Sequence, residues 1–148
     1  MTRRSRRWML LSIAVAIACL TLPPVATQAR TIRTAEVADQ VYAVLPQIPL
    51  ENGYHNHKLN KVDPKNTLIN RLLRYHLYTK GRPVEVRLDW KLTIADYLNA
   101  NDIMDPATYP GNDVLKENPM ENDRRAIDGL SRQLRDRLID QLLQATRR

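Results

Sequence analysis

The chain has a single cysteine, Cys19, and it lies in an N-terminal apolar segment. Residues 30–148 have none, so no disulfide staples them and no thiol does chemistry there. The same residues hold one serine, Ser131. There is no GxSxG elbow, no phosphate-binding loop and no HExxH motif. These absences exclude the common nucleophilic, phosphoryl-transfer and zinc-protease arrangements, and they weigh against an enzyme. Asp102, Asp105 and Asp113 lack the spacing of an EF-hand, so they read as solvated acids. No repeat and no low-complexity tract is present.

What is there begins with an export leader. Arg3, Arg4, Arg6 and Arg7 form a basic start, and Trp8 to Leu22 is an uncharged apolar run. That run is short for a bilayer span, which needs about 20 apolar residues. Pro23 and Pro24 stop any helix, and Thr27-Gln28-Ala29 offers small residues where a signal peptidase inspects. The spacing predicts a signal peptide over 1–29, cut after Ala29, with Ala26 as the second choice and an uncleaved anchor as the alternative. Ser5-Arg6-Arg7-Trp8-Met9-Leu10 resembles the twin-arginine export motif, although an ordinary arginine-rich start fits equally well. Ala16-Ile17-Ala18-Cys19 resembles a lipoprotein box loosely, with Ala16 where Leu is usual. The expected compartment is the periplasm or its equivalent, or the medium. A membrane enters only if Cys19 is lipidated or the leader stays attached.

Residues 30–148 suit a single small domain. The whole chain carries +7, but the leader holds four of the 23 basic residues and none of the 16 acidic ones. The remainder has 19 basic and 16 acidic residues, a net +3. The basic pI therefore supports no general claim of nucleic-acid binding.

Periodicity predicts a mainly α fold: a small bundle of three main helices plus one short helix, with room for one short strand or strand pair. Thr34 caps a first helix with Val37, Val41, Val44 and Leu45 on one face, ended by Pro46 and Pro49. A loop follows at about 46–62. Asp63 and Pro64 open a central helix whose stripe is Leu68, Ile69, Leu72, Leu73 and Leu77. Arg71, Arg74 and Lys80 fall on its other faces. Gly81 and Pro83 stop it. Val84, Val86 and Leu88 alternate with Glu85 and Arg87 as in a half-buried strand. Thr93 and Asp96 read as a capping box for a short helix. A second loop covers about 99–118. Asn118, Pro119 and Glu121 open a last helix along Met120, Asp123, Ile127, Leu130, Leu134, Leu138 and Leu142, in which only Asp123 breaks the apolar series.

Charge is segregated. Residues 54–91 hold nine basic and three acidic residues, a balance of +6, and residues 92–123 hold one and seven, a balance of −6. The basic block also carries Tyr54, Tyr75, Tyr78 and Trp90. Two readings follow. The acidic segment folds over the basic one, or the basic-aromatic block is an outward surface. The leading functional reading is an exported helical binding or scaffolding protein acting through residues 54–91, with Arg71, Arg74, Lys80, Arg82, Arg87 and Trp90 as partner contacts. Its partner would be another extracytoplasmic protein or an anionic surface, with nucleic acid disfavoured. For Trp90 the competing reading is a core anchor. The alternative function is a metal-binding protein or metal-assisted enzyme, in which His55, His57 and His76 hold zinc or copper. The leading reading needs no cofactor.

Overall fold

The computed structural model describes residues 32–147. The leader, its twin-arginine-like motif and Cys19 lie outside the described residues. Five α-helices, one π-helical turn and one two-stranded ribbon make up the described chain: α1 Thr34–Val44, β1 His55–Asn56, β2 Lys61–Val62, α2 Leu68–Arg74, the π-turn Tyr75–Thr79, α3 Arg87–Tyr97, α4 Met120–Asp128 and α5 Arg132–Thr146. The fold is mainly α with a small strand pair, as the periodicity predicts. Among the described residues no helix is long and apolar enough to cross a membrane.

The apolar stripes make one core. Helix α1 packs against α2 and α5, and α3 packs against α4 and α5. Val37, Val41 and Leu45 of α1 meet Leu68, Ile69, Leu72 and Leu73 of α2, with Leu138 and Leu142 of α5 in the same buried cluster. Burying each such side chain stabilises the fold by roughly 1.5–3 kcal/mol. Val44 completes the helical spacing of α1 in sequence but is half exposed, at the helix end.

Four boundaries differ from the sequence expectation. Asp63 caps a turn, accepting from the Lys65 N–H, and α2 starts only after Thr67, whose Oγ1 accepts from the Asn70 N–H at 3.2 Å. Val84 and Glu85 form a turn, only Val86 is extended, and helix α3 begins at Arg87. The alternation of apolar and charged residues over this run therefore does not mark a strand. Val84 is buried and its carbonyl accepts from the Trp90 indole, whereas Val86 and Leu88 are exposed. Because α3 starts six positions before Thr93, the Thr93–Asp96 pair lies inside the helix and caps nothing. The real strand pair sits in the first loop, antiparallel, with His55 opposite Val62 and Asn56 opposite Lys61.

The last helix is two helices. Ser131 has extended backbone, and its Oγ accepts from the Leu134 N–H at 3.2 Å, so it caps α5. Arg135 reaches back from α5 and donates to the carbonyls of Ile127, Asp128 and Leu130. Those are carbonyls that the end of α4 leaves without helical partners. The three- and four-residue steps run through this break unchanged, so periodicity alone does not reveal it.

The described residues form a compact unit with this core. A chain of residues 30–148 will unfold in one cooperative step, with far-UV dichroism and tryptophan fluorescence giving coincident transitions. Leu72→Ala, at a fully buried site, will lower the unfolding free energy by about 2–5 kcal/mol.

Candidate functional site

The basic and acidic segments meet inside the molecule. Arg71 has no exposed side-chain surface, nor has Asp123, and the two form a bidentate pair with both bonds at 2.6 Å. Arg71 also donates to the carbonyls of Glu51 and Asn66 and to the Asn66 side chain. Every N–H of the guanidinium fork is thereby used. The Tyr54 ring covers the guanidinium at 5.3 Å. Asp123 accepts a further 2.6 Å bond from the Tyr109 hydroxyl. Since Tyr109 donates there, it accepts from the Tyr97 hydroxyl, 2.8 Å away. Burial pushes the Asp123 carboxyl up, and Arg71 and Tyr109 oppose that rise. Burial also acts to lower Arg71, but the bonds and charge of Asp123 outweigh it and hold the guanidinium above its ordinary value.

A second network lies at the π-turn. Arg82 donates to Asp96 at 2.6 Å and to Thr93 Oγ1 at 2.9 Å. Thr93 then donates to His76 Nδ1 at 2.8 Å, and His76 Nε2–H donates to the Pro83 carbonyl at 3.2 Å. This chain assigns the neutral Nε2–H tautomer. The imidazole stacks on Trp90 at 3.6 Å, almost parallel. Burial alone would raise the Asp96 carboxyl, but Arg82, Asn101 and the Asp102 N–H hold it below its usual value. Lys80 and Arg82 both reach Asp102, at 2.9 and 3.5 Å.

Of the six residues expected to face a partner, the structure therefore places Arg71 and Trp90 in the core. That corrects the assignment of Arg71 to an outer helix face. A residue three positions after Leu68 lies close enough to the buried stripe to turn inward when a carboxylate waits there. Lys80 and Arg82 are paired with Asp102 and Asp96, and Arg87 with Asp140 at 3.0 Å. Only Arg74 of the six has no hydrogen bond or ion pair among the described residues. The histidines do not meet. His55 and His57 are exposed on the ribbon, while His76 is fully buried with both nitrogens bonded. Among the described residues no three His, Cys, Asp or Glu side chains are grouped to hold a metal.

One face combines an unpaired cation with exposed apolar groups. Arg74 lines a cavity of about 200 Å³ with Tyr78, Thr108 and Pro110. Tyr78 and Thr108 also line a neighbouring cavity of about 420 Å³, whose far members include Ile103 and Asp105. Tyr78 is 67% exposed and Ile103 is 90% exposed. The π-turn sets this arrangement. Its i to i+5 bond, Lys80 N–H to Tyr75 carbonyl at 2.9 Å, turns Tyr75 and His76 into the core and leaves Tyr78 outside. In the sequence Tyr78 is only one of the basic block's four aromatics, and Ile103 carries no charge and belongs to no motif. An exposed isoleucine in a polar loop was the available signal.

Two outcomes follow from the buried groups. Asp123→Asn leaves a buried guanidinium without its counter-charge and will cost about 3–5 kcal/mol in denaturant unfolding. The double variant Arg71→Met with Asp123→Leu will cost less than the two single changes added together. His76 is lowered from 6.5 to about 4, chiefly by burial and further by Arg82, against the pull of the Pro83 carbonyl. The unfolded chain thus takes up this proton first. The contribution of neutral His76 is whole above pH 6.5 and is lost as the pH falls toward 4, a change of about 3 kcal/mol. His76→Gln will flatten the fall in unfolding free energy over that window.

Comparison with protein-family models, with curated proteins and with solved structures finds no match.

Proposed function

We propose that the chain is an exported binding or scaffolding protein that docks a segment of another extracytoplasmic protein on the face of Arg74, Tyr78 and Ile103. One observation carries this reading. The acidic segment and Asp140 take up the charge of Arg71, Lys80, Arg82 and Arg87, while Arg74 is left beside two adjoining cavities and the exposed Tyr78. An unpaired arginine, a tyrosine and an aliphatic side chain around a recess have the composition of binding hot spots.

The partner segment that suits this face has a large apolar side chain for the recess between Tyr78 and Ile103. It also presents oxygen acceptors, carbonyl or carboxylate, to the Arg74 fork. Asp105 and Asp113 stand on the rims of the two cavities, which disfavours a strongly acidic segment. The two-pocket layout favours an extended chain over a single small molecule. Export rests on the basic, apolar and small-residue order of residues 1–29.

The variants Arg74→Glu, Tyr78→Ala and Ile103→Ser change outward groups and will leave the folded state intact. Each will weaken capture of the partner from the extracytoplasmic fraction by roughly thirtyfold, equivalent to about 2 kcal/mol. Arg132→Glu, exposed on α5, serves as the control and will leave capture unchanged. If all three variants capture the same proteins as the parent chain with the same affinity, the face is not the binding site.

A further inference from the structure

Outside that face, residues 54–91 keep further unpaired basic charge on the β1–β2 ribbon. Lys58 and Lys61 make no ion pair among the described residues, and the Lys116 ammonium lies across the ribbon, 2.7 Å from the Asn60 side-chain oxygen. Between these lysines stands Leu59, 60% exposed, and Val62 is also 38% exposed. The turn of the ribbon thus holds Leu59 out in water, next in sequence to Lys58 and two positions from Lys61, with the Lys116 ammonium on Asn60.

The ribbon is firmly mounted. Asn56 bridges to Leu115, the His57 N–H donates to the Val114 carbonyl, and the Lys116 N–H donates to the His55 carbonyl, both at 2.9 Å. The turn itself is fixed by the Asn56 side chain, which accepts from the N–H groups of Lys58 and Leu59 at 2.9 and 3.0 Å. Asn60 takes the left-handed conformation that closes it, at φ 47°. Leu59 is therefore presented by ordered backbone, so little conformational entropy remains to be lost when it binds.

We propose that this ribbon is a peripheral anchor for an anionic lipid surface, with Leu59 entering the interface and Lys58, Lys61 and Lys116 meeting the headgroups, a membrane contact beyond the two routes expected from the sequence because it needs neither the leader nor a lipid on Cys19. A bilayer interface accepts a projecting apolar tip without a matching pocket, and lysine stems reach past an inserted leucine to leave their charges in the headgroup layer. Three acids bound the strength. Asp63 follows β2 directly, where it accepts from the Lys65 N–H. Glu117 lines a cavity with Glu51, His55 and Lys116. The attraction is consequently weak and screened by salt. Each lysine near an anionic leaflet strengthens binding roughly fivefold, and an inserted leucine contributes roughly tenfold. Together they strengthen binding roughly a thousandfold over a surface that offers neither contact, a reversible attachment independent of the Arg74 face.

The test is vesicle sedimentation with the 30–148 chain, which contains the core described above and lacks the apolar leader. The probes are vesicles of mixed phosphatidylglycerol and phosphatidylcholine, vesicles of phosphatidylcholine alone, and polyglutamate. At low salt the chain will sediment with the mixed vesicles. It will not sediment with phosphatidylcholine alone, nor at about 0.5 M salt, where charges are screened beyond about 4 Å. Lys58→Glu with Lys61→Glu will weaken binding at least tenfold, and Leu59→Ser roughly tenfold, with far-UV dichroism unchanged in both. No sedimentation with mixed vesicles overturns the proposal, and so does undiminished sedimentation of either variant. Binding to polyglutamate without binding to vesicles also overturns it, and makes the ribbon's partner an acidic polypeptide.

Discussion

A guanidinium and a carboxylate with no exposed surface must stay together, and the fold is arranged so that they do. Arg71 leaves α2 and Asp123 leaves the first turn of α4, 52 positions apart in the chain. Their two bonds fix the distance between those helices. The remaining donors of Arg71 hold the carbonyls of Glu51 and Asn66, so the segment before α2 is folded over the same group. Glu51 takes a left-handed φ of 45° where it presents its carbonyl to Arg71, a conformation that a non-glycine residue adopts only when its surroundings require it. On the other side Tyr109 draws the second loop onto Asp123. Gly111 follows at φ 102°, and a Cβ there would stand 3.0 Å from Leu115 and 3.6 Å from the Arg71 side chain. The left-handed backbone is what calls for glycine at that point, and a side chain there would also press on Leu115.

Such a pair adds little net stability over well-packed apolar side chains, because removing two charges from water offsets most of their attraction. What it contributes is register. The loops at 46–62 and 99–118 have few apolar side chains to place them, and the polar centre supplies targets that only one arrangement satisfies. The π-turn network does the same for the other end of α2. Arg82 and Asp96 lock the start of the post-helical segment to α3, and Asn101 and the Asp102 N–H bind the second carboxylate oxygen of Asp96 at 2.7 and 3.0 Å. Between them the two networks hold both ends of the loop whose Ile103 and Thr108 shape the outward recess.

How far the sequence reveals this depends on the range of the interaction. The helices were legible because their apolar stripes are local patterns, and the Gly81 stop was legible because Gly81 takes the left-handed φ of 59° that helix ends use. Caps were less legible, since Asp63 and Thr67 are both good caps and only the packing of Leu68 and Ile69 chooses between them. The Val84–Leu88 alternation misled because two of its three apolar residues are simply exposed. Asp123 carried a signal, as the one acid in an apolar series, yet nothing local identifies Arg71 as its partner. The π-turn had no signature at all. Adjacent buried residues do not announce it, since Leu68–Ile69 and Leu72–Leu73 are buried pairs within the regular turns of α2.

Segregated charge along a chain is commonly taken as a map of its surface. In this molecule most of it describes the interior and the seams between elements. The acidic segment answers Arg71, Lys80 and Arg82, and α5 answers Arg87 through Asp140. A count of basic residues therefore overstates the field available to a partner, and a count of aromatics does too, since Trp90, Tyr75, Tyr97 and Tyr109 are buried. What is left after subtracting the charge satisfied internally includes Lys91, Arg132 and Arg137 and two small outward sets. One is Arg74 with Tyr78 and Ile103, the other is the ribbon lysines with Leu59. Each pairs unanswered cationic charge with an apolar group that the fold neither needs nor hides. Because the networks that consume the rest of the charge also fix the loops that display these residues, the same interactions that empty the surface of charge order what is left on it.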